Sequence, residues 1–365
     1  MKKLRKTASV LLMLMMILST LAFSVVNAEE TEAPKAVFLG GSITAGSGVP
    51  YNDVETKSYR AIVSKWLSQP ENGGYECINA ALGGRASNTG LTYLNPDVLS
   101  HNPKLVFIEY AVNDTSLSVS DSQFCMEQIV REILAKCPGA KIVFLYTSYK
   151  ANLGVEGDLT KSGTMASTHQ KVADFYGIPS IDLQKALRDA VAVGNSVDTY
   201  FSDTVHPSVA GHAFYAETII ENLAKPDFYT NCVLTDNTLS GFDGKNGIYT
   251  PAQSLRYSDD PEAEIVGDWK NQSDIALRFT RDDVPTGNEY LKFSFEGNVL
   301  SLLLNATKEG AQLEYDIDNG DRKGVIDLTK HGAAAGKHSE LFIRDLKDGK
   351  HICKLTRHLQ RRTPF

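Results

Sequence analysis

Two short segments, far apart in the chain, carry side chains that could share one reaction. Ser42 stands in Phe38-Leu39-Gly40-Gly41-Ser42-Ile43-Thr44-Ala45-Gly46, and His206 stands in Asp203-Thr204-Val205-His206-Pro207. A serine hydroxyl attacks carbonyl carbon only when a base takes its proton, and the base needs a carboxylate to fix its tautomer and stabilise its charged form. Asp203 lies three residues before His206, close enough for its carboxylate to accept from the imidazole. Acyl transfer also needs donors aimed at the oxygen that becomes negative. Three are available: the Ser42 N–H, the Gly84 N–H in Ala81-Leu82-Gly83-Gly84-Arg85-Ala86-Ser87, and the Asn113 side-chain amide in Tyr110-Ala111-Val112-Asn113-Asp114. Each segment alone has a plainer reading: a helix N-cap at Ser42, a turn at Gly84, a loop cap at Asn113 and a capped helix start around His206. Asp114 is expected to fix the Asn113 loop rather than touch a substrate, and His212 to pack within its own helix.

The residues between these segments supply elements that bring them together. Lys35–Leu39, Cys77–Ala81, Leu105–Tyr110, Lys141–Thr147 and Ile178–Ile181 are short apolar runs of the kind found in sheets buried on both faces. Tyr59–Leu67, Ser122–Lys136, Met165–Tyr176 and Val209–Leu223 place apolar residues at helical spacing. Alternating strands and helices predict an α/β fold with a parallel sheet. Ligands bind beyond the carboxyl ends of such strands, where Ser42, Gly84, Asn113 and the Asp203–His206 loop would all fall. After Lys225-Pro226-Asp227 the pattern changes to Tyr290–Phe295, Val299–Leu304, Gln312–Ile317, Gly324–Asp327 and Lys350–Leu355, separated by turns such as Asp318-Asn319-Gly320. This predicts an all-β, sandwich-like domain, 227–365, with a frayed basic C-terminus. Tyr249, Tyr257, Trp269 and Tyr290 could stack on sugar rings there, but aromatic residues in a β-sandwich belong first to its core.

Taken together, the blocks Gly-Gly-Ser42-Ile-Thr, Gly-Gly84-Arg-Ala-Ser, Ala-Val-Asn113-Asp and Asp203-Thr-Val-His206-Pro resemble, in order, the four blocks of the SGNH hydrolases, also called GDSL esterases. The resemblance covers residues 36–224. It implies a three-layer α/β/α sandwich of flavodoxin-like type over 36–226. It also implies serine ester hydrolysis by Ser42, His206 and Asp203, with Ser42, Gly84 and Asn113 forming the oxyanion hole and no metal or organic cofactor. Gly41 stands where the family usually has aspartate, and Ala111 where the third block often has glycine. The Gly-x-Ser-x-Gly elbow of α/β-hydrolases is absent, because Thr44 occupies its second glycine position.

Composition bounds the setting. Hydrophobic residues make up 42% of the 365 and charged residues 22%, enough for a sizeable core. Lys2, Lys3, Arg5 and Lys6 precede an apolar run ending at Val26-Asn27-Ala28, which reads as a signal peptide over 1–28, followed by a leader to residue 35. Its length also allows an uncleaved anchor. Cleavage would shift the net charge from −7 to −11, which disfavours nucleic acid as a partner. Secretion, with no stable membrane association after cleavage, is expected. Cys77, Cys125, Cys137, Cys232 and Cys353 show no zinc spacing and read as buried small apolar residues, though one bridge remains open. An exported acidic esterase with a β-rich appendage suits an acetylated plant polysaccharide or oligosaccharide, of xylan or pectin type. The alternatives are a short-chain lipid esterase or thioesterase, and a non-catalytic carbohydrate-binding protein.

Overall fold

The computed structural model describes residues 32–151, 153, 163–229, 260–267, 270–273, 276–278, 289–305, 312–327 and 338–358. The expected signal peptide, Cys232, Tyr249, Tyr257, Trp269 and the expected C-terminal fraying lie outside these residues, apart from residues 356–358, which continue a strand.

Five strands, β1 (Lys35–Gly40), β2 (Glu76–Ala81), β3 (Leu105–Glu109), β4 (Lys141–Tyr146) and β5 (Ser180–Asp182), form one parallel sheet in the order β2-β1-β3-β4-β5. That is the flavodoxin-like order, with its topological switch between β1 and β3. Seven helices matter for the site: α1 (Ser42–Ala45), α2 (Tyr59–Leu67), α3 (Ser87–Thr92), α4 (Val119–Lys136), α5 (Ala166–Tyr176), α6 (Leu183–Ala192) and α7 (Val209–Leu223).

Strand residues alternate between two cores, which is why the strands read as unbroken apolar runs. Val37, Leu39, Val106, Ile108, Ile142 and Phe144 face α3, α4 and α5 through Leu91, Met126, Ile129, Ile133 and Val172. Ala36, Phe38, Leu105, Phe107, Val143 and Leu145 face α2, α6 and α7 through Tyr59, Val63, Leu187, Tyr215 and Ile219. Phe38 and Phe107 stack across β1 and β3 with ring centroids 4.6 Å apart. Each fully buried aliphatic or aromatic side chain contributes about 1.5–3 kcal/mol relative to exposure, so these two layers fix the strand ends firmly.

Two helices depart from the sequence expectation. α4 begins at Val119 because Ser118 caps it, its Oγ accepting from Asp121 N at 3.1 Å. Its first turn is exposed and so lacks the apolar spacing. α6 follows β5 with no loop, capped by Asp182 accepting from Lys185 N at 2.9 Å, and the missing turn residues hid it.

The later region is antiparallel. β6 (Glu264–Val266), β9 (Tyr290–Glu296), β11 (Gln312–Ile317), β12 (Arg322–Asp327) and β14 (Lys350–His358) form one sheet; β10 (Leu300–Asn305) pairs with β13 (His338–Ile343), and β7 (Lys270–Ser273) with β8 (Ala276–Arg278). Phe295, Ile317, Cys353 and Leu355 of the larger sheet share a core with Leu300 and Ile343 of the β10–β13 pair. This is the sandwich-like arrangement expected. In the β11–β12 turn, Asp318 and Asn319 have φ of 53° and 55°, as both central residues of a type I′ turn must, and Gly320 N donates to Ile317 O. The four described cysteines, Cys77, Cys125, Cys137 and Cys353, are free.

The β-rich region packs on α3 and α4. Arg344 pairs with Asp121 at 2.7 Å and lies over the Phe124 ring, which also meets Phe342, while Thr92 bonds Ser301 at 2.7 Å.

Candidate active site

All five residues singled out in the sequence sit at the carboxyl end of the parallel sheet. Ser42 follows the end of β1 by two residues, Gly84 the end of β2 by three and Asn113 the end of β3 by four, and Asp203 and His206 lie on the loop entering α7. That loop is held by its own backbone: Ser202 N donates to His206 O at 2.9 Å, Ser208 N to Tyr200 O at 2.9 Å, and Lys150 N to Thr204 O at 3.1 Å. Ser208 caps α7 by accepting from Gly211 N.

The three side chains form one hydrogen-bonded line. Ser42 Oγ is 2.9 Å from His206 Nε2, and His206 Nδ1 is 2.8 Å from Asp203 Oδ2. The second oxygen, Asp203 Oδ1, accepts from the Val205 and His206 amides at 2.7 Å each. Desolvation works to raise the Asp203 pKa, but the His206 amide, the His206 ring and the Val205 amide outweigh it and hold the carboxyl at about 2. An ionised Asp203 accepts only, so Nδ1 carries a proton and Nε2 of the neutral ring is left to accept from the Ser42 hydroxyl. This is the protonation pattern in which an imidazole can take a proton from serine.

The oxyanion candidates converge on the same end. Gly84 adopts φ of +79°, a conformation that favours glycine, and neighbouring Gly83 lies against Ser42. Asn113 Oδ1 is buried without a hydrogen-bond partner and packs against Gly41, where a Cβ would fall 2.3 Å from it. With its oxygen turned inward, the amide has only its Nδ2 donor to present outward. A side chain at position 41 would therefore collide with Asn113.

Asp114 is buried and ties these donors together. It accepts from Ser87 N at 2.7 Å, Ser87 Oγ at 2.6 Å and Ser122 Oγ at 2.7 Å, and lies 3.0 Å from His169 Nε2. It thereby joins the Asn113 loop to the start of α3, which follows the Gly84 loop, and to α4 and α5. His212 is buried on α7 and reaches beyond its helix: Tyr59 N donates to its Nδ1 at 3.2 Å, and its Nε2 donates to Ser47 O at 3.1 Å. Sequence reasoning missed Glu109, Thr44, Ser122 and His169. The one available signal was a glutamate inside the apolar run Leu105-Val106-Phe107-Ile108-Glu109-Tyr110.

Among the described residues, no three His, Cys, Asp or Glu side chains gather as a metal site would require. Tyr290 is engaged within its own sheet, its hydroxyl donating to Glu264 at 3.0 Å and its ring lying under Lys354.

Residues 38–214 match the model of the GDSL-like lipase/acylhydrolase family. Comparison with curated proteins gives no match. Among solved structures, a two-domain esterase active on acetylated mannans, co-crystallised with mannopentaose, aligns with a TM-score of 0.67 and 20% identity, over 90% of this chain and 87% of that one. A second structure of a two-domain esterase active on acetylated mannans gives 0.67 at 21% identity, over 91% and 88%. A catalytic mutant of an acetylxylan esterase from Geobacillus stearothermophilus gives 0.44 at 20% identity, over 53% of this chain and 94% of that one. The two alignments at 0.67 show a likeness of fold, whereas the family match covers all four sequence blocks. The α/β region belongs to the GDSL-like lipase/acylhydrolase family, in its SGNH form, and the chain is a serine ester hydrolase.

Proposed function

We propose that Ser42 is the nucleophile, His206 its base and Asp203 the orienting carboxylate, and that the enzyme removes acetyl groups from polysaccharide outside the cell. The observation that carries the catalytic part is the unbroken line Ser42–His206–Asp203. Ser42 Oγ attacks the ester carbonyl as its proton passes to His206 Nε2. The oxyanion is held by the Ser42 and Gly84 amides and by Asn113 Nδ2. Collapse breaks the carbon–alkoxy bond, and His206 gives its proton to the leaving sugar oxygen, which departs as a hydroxyl. Water, deprotonated by the same imidazole, then attacks the acetyl-serine, releasing acetate and restoring the serine.

The substrate class is supported by the shared two-domain organisation with an esterase active on acetylated mannans and by the acidic balance of the sequence. Export is supported by the basic and apolar pattern of residues 1–28. The decisive experiment compares wild type and Ser42→Ala on a short-chain aryl ester. Loss of all but a few per cent of activity is expected, and retention would refute the assignment. Release of acetate from acetylated mannan, xylan and pectin, set against hydrolysis of acetate and octanoate aryl esters, tests the substrate. Faster turnover of octanoate with no release from any polysaccharide would favour a lipid ester instead. N-terminal sequencing of secreted material tests export, with Glu29 as the expected first residue.

A further inference from the structure

Glu109 ends β3 and is fully buried. Its carboxyl accepts from Thr147 Oγ1 at 2.6 Å and from Thr44 Oγ1 at 2.9 Å, and its main-chain carbonyl accepts from Gly41 N at 3.3 Å. Gly41 immediately precedes Ser42 and Thr44 follows it by two residues, so one residue grips the serine turn on both sides. The fit is close: a Cβ at Gly40 would lie 2.4 Å from Thr44 Oγ1 and 2.9 Å from Glu109 O.

The contacts continue around α1. The Thr44 hydroxyl has one proton; having donated it to Glu109, it accepts from Tyr59 OH at 2.6 Å. Tyr59 N donates to His212 Nδ1, whose Nε2 donates to Ser47 O just past the turn. A carboxyl inside this ring is costly to bury. Burial lifts its pKa to about 7, with the Thr147 and Thr44 hydroxyls and the Gly41 amide pulling the other way. An apolar side chain would avoid that cost but could not hold Thr44.

We propose that Glu109 is a positioning residue for Ser42, fixing through Thr44 and Gly41 the turn that aims Ser42 Oγ at His206 Nε2. The proposal rests on Ser42 being the nucleophile. It assigns Glu109 no contact with substrate and no share in proton transfer.

The test measures kcat and KM on an aryl acetate, together with the rate at which an aryl phosphonate labels Ser42. In that labelling the serine oxygen bonds phosphorus and the phenolate leaves. Wild type, Thr44→Val, Glu109→Gln, Glu109→Ala and the Thr44→Val/Glu109→Ala double variant are compared. Glu109→Ala is expected to lower kcat at least tenfold with KM changed less than threefold, and to slow labelling by the same factor. Glu109→Gln, which keeps the shape and one acceptor, restores part of the loss. Thr44→Val reproduces most of it, and the double variant is no worse than the poorer single one, because both cut the same link. Folded variants with kcat within twofold of wild type, losses that multiply in the double variant, or a change in KM alone would each overturn the proposal. If Glu109→Ala does not fold, the nearly isosteric Thr44→Val decides. A wild type that neither cleaves the ester nor accepts the label refutes the Ser42 assignment itself, whereas an active wild type with indifferent variants refutes only the role of Glu109.

Discussion

The α/β region and the β-rich region bury polar residues in different ways. In the first, Asp114, Glu109, His169 and His212 are all buried at the carboxyl end of the sheet, each bonded to elements distant in sequence. In the second, the buried His351 bonds Asp318 and the Lys347 carbonyl, closing one turn onto its neighbouring strand. A sheet covered on both faces leaves an interior polar group no water, so its partners must come from the protein. The antiparallel sheet keeps much of one face open: β11 alternates buried and accessible residues, and Val325 and Ile352 stay exposed. The costly interior hydrogen bonding is thus concentrated where Ser42 sits, and the β-rich region contributes packing against α3 and α4.

The sharpest challenge to that contrast is chemical. His206→Ala is expected to lower kcat by at least roughly a thousandfold, and Asp203→Asn by about the same order, since the asparagine favours the wrong tautomer; steady-state kinetics on an aryl acetate would show it. Asn113→Ala should cost about a hundredfold or more in kcat, the scale of one lost oxyanion donor. Gly41→Ala, whose Cβ would meet Asn113 Oδ1, should approach that loss, with overpacking costing about 1–3 kcal/mol of stability. Comparable activity in Gly41→Ala and wild type would mean that the Asn113 position does not matter.

Stability separates the regions next. Asp114→Ala strips a buried carboxylate from Ser87, Ser122 and His169 and should cost about 3–5 kcal/mol in urea unfolding. Asp318→Ala leaves a single histidine pairing short and should cost about 1–2 kcal/mol. Equal losses would erase the distinction.

The last test is in pH, and the two regions should respond with opposite sign. Burial lowers the His212 pKa to about 4, against the pull of the Ser47 carbonyl. Between pH 6.5 and 4 the unfolded chain therefore binds a proton that the folded one refuses, and acidification destabilises the α/β region by up to about 3 kcal/mol. For His351, burial opposes protonation, but Asp318 and the Lys347 carbonyl prevail and raise its pKa. Its stabilisation is complete below the unfolded histidine pKa and is lost as pH rises through the folded value. Hydrogen exchange read by region at pH 5 and 7.5 should show protection shifting towards the β-rich region on acidification, and His212→Asn should flatten the α/β response.

Much of this was legible in the sequence. Leu105–Glu109 and Lys141–Tyr146 announce themselves because burial on both faces favours apolar residues there, Glu109 being the exception, and the four blocks carry the spacing of the site. What stayed hidden depends on contacts across the fold. His169 and Ser122 look like ordinary helix residues until α4 and α5 converge on Asp114. Asp203–His206 showed its local geometry, but its distance to Ser42 is set by β1, α7 and the loop between Phe201 and Pro207, which no local pattern encodes. β13 was missed because only Leu341-Phe342-Ile343 in it is apolar, too short a run to read as a strand alone.

The perch of Phe124 beneath Arg344 and beside Phe342 bears on anyone who wishes to trim the enzyme. A version stopped soon after Leu223 would retain every group of the Ser42 site yet bare an aromatic ring on α4 and leave Asp121 without its guanidinium. Such a truncate invites clumping during purification, and a polar replacement at position 124 is the first remedy to try.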